Sequence, residues 1–289
     1  MTRFSFAAAA LAALALPVCA IAQDVDPADE IVIQGERADR ADARSQAQDI
    51  TPRSGGWGDP LPRFNDPVCP AVYGLTQQNA QDVIDRIYDN AERAGADVDD
   101  FADCRANLWV IIVDDPQETF RQLRRENNFL LRYLNSFQRD RAADERGPTV
   151  AWNVVSTRNQ YGGVVSAGNT SPFEIPTNET TAMSRTTSAV RLDIEYSVVL
   201  IERAALANFD AYAIADYVTM RALARTEEPE GGLNFASVMT LFEDGPERLT
   251  DFDLAYLQEL YASSATRPAR NFGGRVATLM DEANGLTDE

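Results

Sequence analysis

Three pairs of carboxylates are spaced closely enough to suggest acid–base chemistry: Asp114 with Asp115, Asp193 with Glu195, and Asp251 with Asp253. Two carboxyls facing each other across a pocket, about 5–10 Å apart, can cleave a glycosidic bond without help from an imidazole. That independence matters, because the chain contains no histidine, and all 26 of its basic side chains are arginine. A histidine zinc site, a Ser-His or Cys-His pair, a Schiff-base lysine and a lysine phosphate loop are therefore excluded. Each acidic pair also has a structural reading. Asp114-Asp115 follows an apolar run and precedes Pro116, where an aspartate caps a helix, and this reading is preferred. Asp193 and Glu195 alternate with Leu192 and Ile194, as on the polar face of a strand. The acidic run Asp97-x-Asp99-Asp100-x-x-Asp103 offers oxygen ligands for calcium. It has Ala102 and Leu108 where an EF-hand loop needs glycine and glutamate, so it reads as a solvated loop and no metal is assigned.

The elements that must position these residues are legible from their periodicity. Thr76 caps a helix whose apolar face is Val83, Ile84, Ile87, Tyr88 and Ala91, ending at Gly95. Leu108 to Val113 is a buried strand. Pro116 opens a helix with Phe120, Leu123, Leu130, Leu131 and Leu134 on one face. Val150–Val155 and Tyr196–Ile201 are strands, separated by a turn at Gly162-Gly163 and a Ser/Thr/Asn/Pro-rich stretch from about Ser166 to Ser188. Helices are then expected at Ala211–Arg225, at Asn234–Phe242, after Thr250, and over 271–284. Strands first and helices later predict an α+β fold, a small mixed sheet with packed helices and a helical C-terminal half.

Residues 1–22 read as a signal peptide. Arg3 is the positive end, Phe4–Leu16 the apolar run, and Ala20-Ile21-Ala22 a small-x-small cleavage site. No later stretch approaches the about 18 apolar residues of a membrane span. Export favours a disulfide between the two remaining cysteines, Cys69 and Cys104, and closing that loop would contribute about 3–4 kcal/mol. Residues 23–65, rich in Asp, Ala, Arg, Pro and Gly, read as a flexible tail containing one strand-like run, Glu30–Gly35. This run is similar to the acidic-apolar N-terminal segments of TonB-dependent outer-membrane proteins, which implies docking on an envelope receptor; a strand docked on its own domain or an unpaired tail is the preferred reading. Residues 66–289 read as a single globular domain. A net charge of −19 repels nucleic acid and anionic lipid.

Three features of the C-terminal half fall in a fixed order. A helix, Ile214-Ala215-Asp216-Tyr217-Val218-Thr219-Met220-Arg221-Ala222-Leu223, comes first. Ser237-Val238-Met239 with Leu241-Phe242 follows, and then Leu249-Thr250-x-Phe252-Asp253-x-x-x-Leu257-Gln258-x-Leu260-Tyr261. The order, over residues 190–262, resembles the zincin-type metallopeptidases, and most of all a set of exported bacterial proteins of unknown function that look like degenerate zincins. The resemblance implies that Met239 is the turn methionine beneath the metal position. Asp216 and Tyr217 stand where the first zinc histidine and the catalytic glutamate belong, and Met220 where the second histidine belongs. Tyr217 and Met220 cannot complete a hydrolytic zinc site, and the general base is missing.

The sequence therefore predicts an exported protein, periplasmic or extracellular, zincin-like in its C-terminal half, without cofactor or catalytic residues. It is expected to bind an envelope protein or peptide partner in a former substrate cleft lined by Asp216, Tyr217, Met220 and Met239. The rival expectation is a carboxylate-dependent hydrolase acting on envelope polysaccharide.

Overall fold

A computed structural model describes residues 39–52, 59–99, 101, 103–165, 184, 186–229 and 231–285. The expected signal peptide, the strand-like run at Glu30–Gly35 and most of the Ser166–Ser188 stretch lie outside the described residues. The elements, in chain order, are α1 (Arg40–Asp49), β1 (Pro70–Tyr73), α2 (Gln77–Ala94), β2 (Leu108–Val113), α3 (Pro116–Arg125), α4 (Ser136–Asp144), β3 (Thr149–Asn159), β4 (Val190–Glu202), α5 (Ala211–Leu223), α6 (Asp251–Ala262) and α7 (Phe272–Ala283). Short 3-10 turns occupy Phe129–Leu131, Arg203–Asn208 and Val238–Glu243.

Four strands form one mixed sheet in the order β1-β2-β4-β3. β2 runs parallel to β1 and β4, while β3 and β4 are an antiparallel pair with a register shift at Val154/Val155. The fold class is α+β, as the pattern of elements predicts. Alternation along β2 sends Leu108, Val110 and Ile112 to one face and Trp109, Ile111 and Val113 to the other. The first face carries the larger core, built with α2, α5, α6 and α7. The second is covered only by α3, the Phe129–Leu131 turn and α4, around Phe120, Leu131, Trp152 and Leu200. The Cys69–Cys104 disulfide, with its Cα atoms 6.1 Å apart, ties the lead into β1 to the loop before β2.

Two expectations are corrected. The flexible tail over 23–65 gives way at Arg40 to α1, which packs on α7, with Ala43 and Ile50 fully buried. Gln46 pairs with the backbone of Phe235 through both its oxygen (2.7 Å) and its nitrogen (3.0 Å). The helices meet at a glycine: a Cβ on Gly273 would lie 2.4 Å from the Arg44 Cα. The second correction concerns the helix opened by Pro116. It ends at Arg125, and Asn127 turns the chain back with φ 49°. The leucines beyond it reach the core from a 3-10 turn instead. No helix among the described residues is long and apolar enough to cross a membrane.

Candidate functional site

α5 is apolar on nearly every side, and every residue from Ala213 to Leu223 is buried. A buried helix end must satisfy its free carbonyls internally. Here Thr226 donates to the Met220 carbonyl at 2.9 Å, Ser197 and Asn153 to that of Ala222 at 2.8 and 3.1 Å, and Tyr261 to that of Leu223 at 2.8 Å.

The four sequence candidates are all part of this packing. Asp216 is fully buried and accepts four hydrogen bonds: from Arg86 Nε (2.7 Å) and Nη2 (3.0 Å), Asn90 Nδ2 (2.6 Å) and the Leu249 amide (3.0 Å). A carboxylate so engaged keeps no open coordination direction. Its role is to join α2, α5 and the approach to α6. Tyr217 turns toward β3, where its hydroxyl meets Thr149 Oγ1 at 2.8 Å, and its ring stands edge-on to Phe242. Burial pushes its pKa up, so it stays protonated at neutral pH. Met220 is buried in α5. Met239 lies in the turn packed under α5, its sulfur 3.8 Å from the Thr226 hydroxyl that holds the Met220 carbonyl. Met220 and Met239 are thus brought close, while Asp216 and Tyr217 turn to different neighbours. None of the four is more than 4% exposed, so they are interior side chains, not the walls of an open cleft.

The other two motifs are joined by a single carboxylate. Asp253, fully buried, accepts from Ser237 Oγ (2.5 Å), the Val238 amide (2.8 Å) and the Thr250 amide (3.0 Å). It closes the capping box of α6 and fixes the Ser-Val-Met turn at the same time. Gln258 donates to the Arg93 carbonyl at the end of α2 (3.1 Å).

Sequence reasoning missed a buried polar cluster beside Tyr217. The Arg221 side chain has no exposed surface and pairs with Glu145 at 2.7 Å. Glu145 also accepts from the Ala151 amide (2.9 Å), and Thr149 donates to Glu228 (3.0 Å). Two Arg221 nitrogens, Nε and Nη1, find no hydrogen-bond partner among the described residues. Desolvation opposes the Arg221 charge, but Glu145, Tyr217 and Glu228 together outweigh it and raise the guanidinium pKa. The legible signal is a second charged residue, besides Asp216, on a helix otherwise largely apolar. Glu145, remote in sequence, gave none.

The acidic pairs prove to be structural too. Asp115 caps α3 through the Glu118 amide (2.8 Å), and Asp114 is exposed at the strand end. Asp193 is held by Arg191 (2.8 Å) and Asn65 (2.7 Å). Glu195 is bound by Ser156 and Arg158; burial would raise its pKa, but these two donors bring it below the usual carboxylate range. Among the described residues no group of three or more His, Cys, Asp or Glu converges as metal ligands.

Among the described residues an open groove of about 1080 Å³ lies on the second face, at the N-terminal end of β2, where the α3–α4 layer stops short. Arg105, Trp109, Phe129, Arg132, Tyr133 and Tyr196 stand in its walls, with Asp66 and Asp99 beside them. Phe129 is 53% exposed and Tyr133 70%. Phe129 meets Trp109 edge-on, with ring centroids 5.9 Å apart. Tyr196 donates to the Leu130 carbonyl (3.2 Å), and burial, aided by Tyr133, pushes its pKa up to about 12 against the pull of Arg132. Among the described residues no cluster of metal-ligating side chains is assembled there. The arrangement offers aromatic surface and charge, the equipment of recognition. Compared with models of protein families, with curated proteins and with solved structures, the chain matches none.

Proposed function

We propose that this chain is a non-catalytic, exported cell-envelope protein that binds a protein or peptide partner, on a scaffold resembling a zincin that has lost its metal site. The observation that carries the binding reading is the groove, where Phe129 and Tyr133 stand in solvent beside Trp109 and Tyr196. Contiguous exposed apolar surface marks a place that is covered in use. The non-catalytic half is supported by the engagement of Asp216 and Asp253, whose oxygens are occupied by donors of the protein itself. Export is supported by the disulfide, a bond that persists in oxidising compartments.

Site-specific photo-crosslinking tests the reading. A benzophenone side chain at Tyr133 should give a discrete, protease-sensitive adduct in the envelope fraction, and one at Gln81, exposed on α2, should not. Adducts of equal yield at both positions, or none at Tyr133, would overturn partner binding at the groove. Chelator-sensitive cleavage of peptides by the purified chain would overturn the non-catalytic assignment.

A further inference from the structure

Resting on that reading of the groove, we infer that its occupant is an acidic peptide segment, an extended stretch in which an apolar side chain seats among the aromatic rings and flanking carboxylates reach Arg105 and Arg132.

The argument begins with charge. In a chain of net charge −19, many of the described arginines have a carboxylate within reach, some of them on the open surface of this same layer, where Arg139 instead donates to the Leu131 carbonyl (3.0 Å). Arg124 pairs with Asp140 at 3.1 Å, Arg125 with Glu118 at 2.8 Å, and Arg158 with Glu195 inside the groove. Arg105 and Arg132, both exposed on the groove, pair with no carboxylate among the described residues, although Asp66 and Asp99 line the same groove. Two unpaired guanidiniums beside aromatic faces are suited to bidentate carboxylate capture. The overall negative charge opposes an acidic ligand at long range, but at physiological salt that field decays over about 8 Å, so contact with the two arginines dominates.

Ring geometry selects the class of partner. Trp109 is tilted 68° to Phe129, so the two rings form a notch and not a flat platform. A notch accepts a side chain; a sugar ring stacks best on a flat face.

The test is to pan a library of randomised ten-residue peptides, displayed on phage, against the full chain at physiological salt. The enriched pool should combine an aromatic or aliphatic residue with an excess of Asp and Glu. The R105Q/R132Q variant should keep the apolar enrichment and lose the acidic excess, with the best acidic clones weakened on the order of tenfold or more. An acidic excess that is absent, or that persists unchanged on the double variant, overturns the inference and leaves the groove reading standing. A pool that binds F129S/Y133S as well as the parent chain overturns the groove reading itself. Arginine-dependent capture of oligogalacturonate, with no peptide enriched, would reassign the site to acidic glycans.

Discussion

The two faces of the sheet treat polar groups in opposite ways. On the first face, around α5, the buried carboxylates and helix-end carbonyls are taken up by neighbours: Asp216 by four hydrogen bonds, Asp253 by four, the end of α5 by Thr226, Ser197, Asn153 and Tyr261. On the second face a thinner layer leaves aromatic rings in water and two arginines without a carboxylate among the described residues. A spaced polar pattern in sequence is therefore not evidence of an active site by itself. Buried hydrogen-bonding groups demand strict geometry and so leave strong patterns, whereas a surface free to bind needs none.

The contrast can be broken or sharpened by measurement. Arg221→Met strands Glu145 in the core and should cost about 3–5 kcal/mol in denaturant unfolding, while R221M/E145L should recover most of that loss; a double variant as weak as the single would show that the ion pair itself holds the first face together. Asp216→Asn leaves Arg86 with only the exposed Asp89 (2.8 Å) as counter-charge and should cost about 3 kcal/mol, whereas a cost below about 1 kcal/mol would mean the α2–α5 junction does not depend on the buried carboxylate. Removing the disulfide as C69S/C104S should lower stability by about 2–4 kcal/mol, read as a shifted midpoint in urea. F129S/Y133S should change stability by less than about 1 kcal/mol while abolishing partner capture, and a large loss of stability would move these rings from recognition to core. The smallest effect belongs to Glu195. Its pKa is held below 4.5, so its stabilisation is present above that pH and fades as pH falls through the folded-state value. Glu195→Gln should make the acid limb of a stability–pH curve shallower, and an unchanged limb would show that the Ser156 and Arg158 contacts do not favour the ionised form.

Much of the framework was legible and little of the groove was. β2 was read to the residue because six consecutive apolar side chains between polar boundaries leave little choice. The caps at Thr76, Asp115 and Thr250 were read because a side-chain oxygen before a periodic run has a defined partner. α1 was missed because it buries Ala43, Gln46 and Ala47 against a glycine, a small-residue contact with no hydrophobic stripe. The groove was missed because it arises where a layer ends. Trp109 looked like core, and its exposed neighbours Phe129 and Tyr133 looked like part of a helix that Asn127 interrupts. Asp216 stands out in the sequence as a carboxylate on an apolar helix, but its role depends on Arg86, which is 130 positions away.

Arg63 has a practical bearing on how the chain can be cut. Its Nη1 donates to three carbonyls at the end of α6, those of Leu260 (2.7 Å), Tyr261 (3.0 Å) and Ser263 (2.7 Å). Its backbone is stitched to Leu192 and Ile194 of β4. One residue thus fastens the end of α6 to the sheet, in the place of a conventional helix stop. A fragment beginning at Asp66 would lose that fastener together with α1 and should be recovered as an aggregating product, so the shortest autonomous piece has to begin ahead of Arg40.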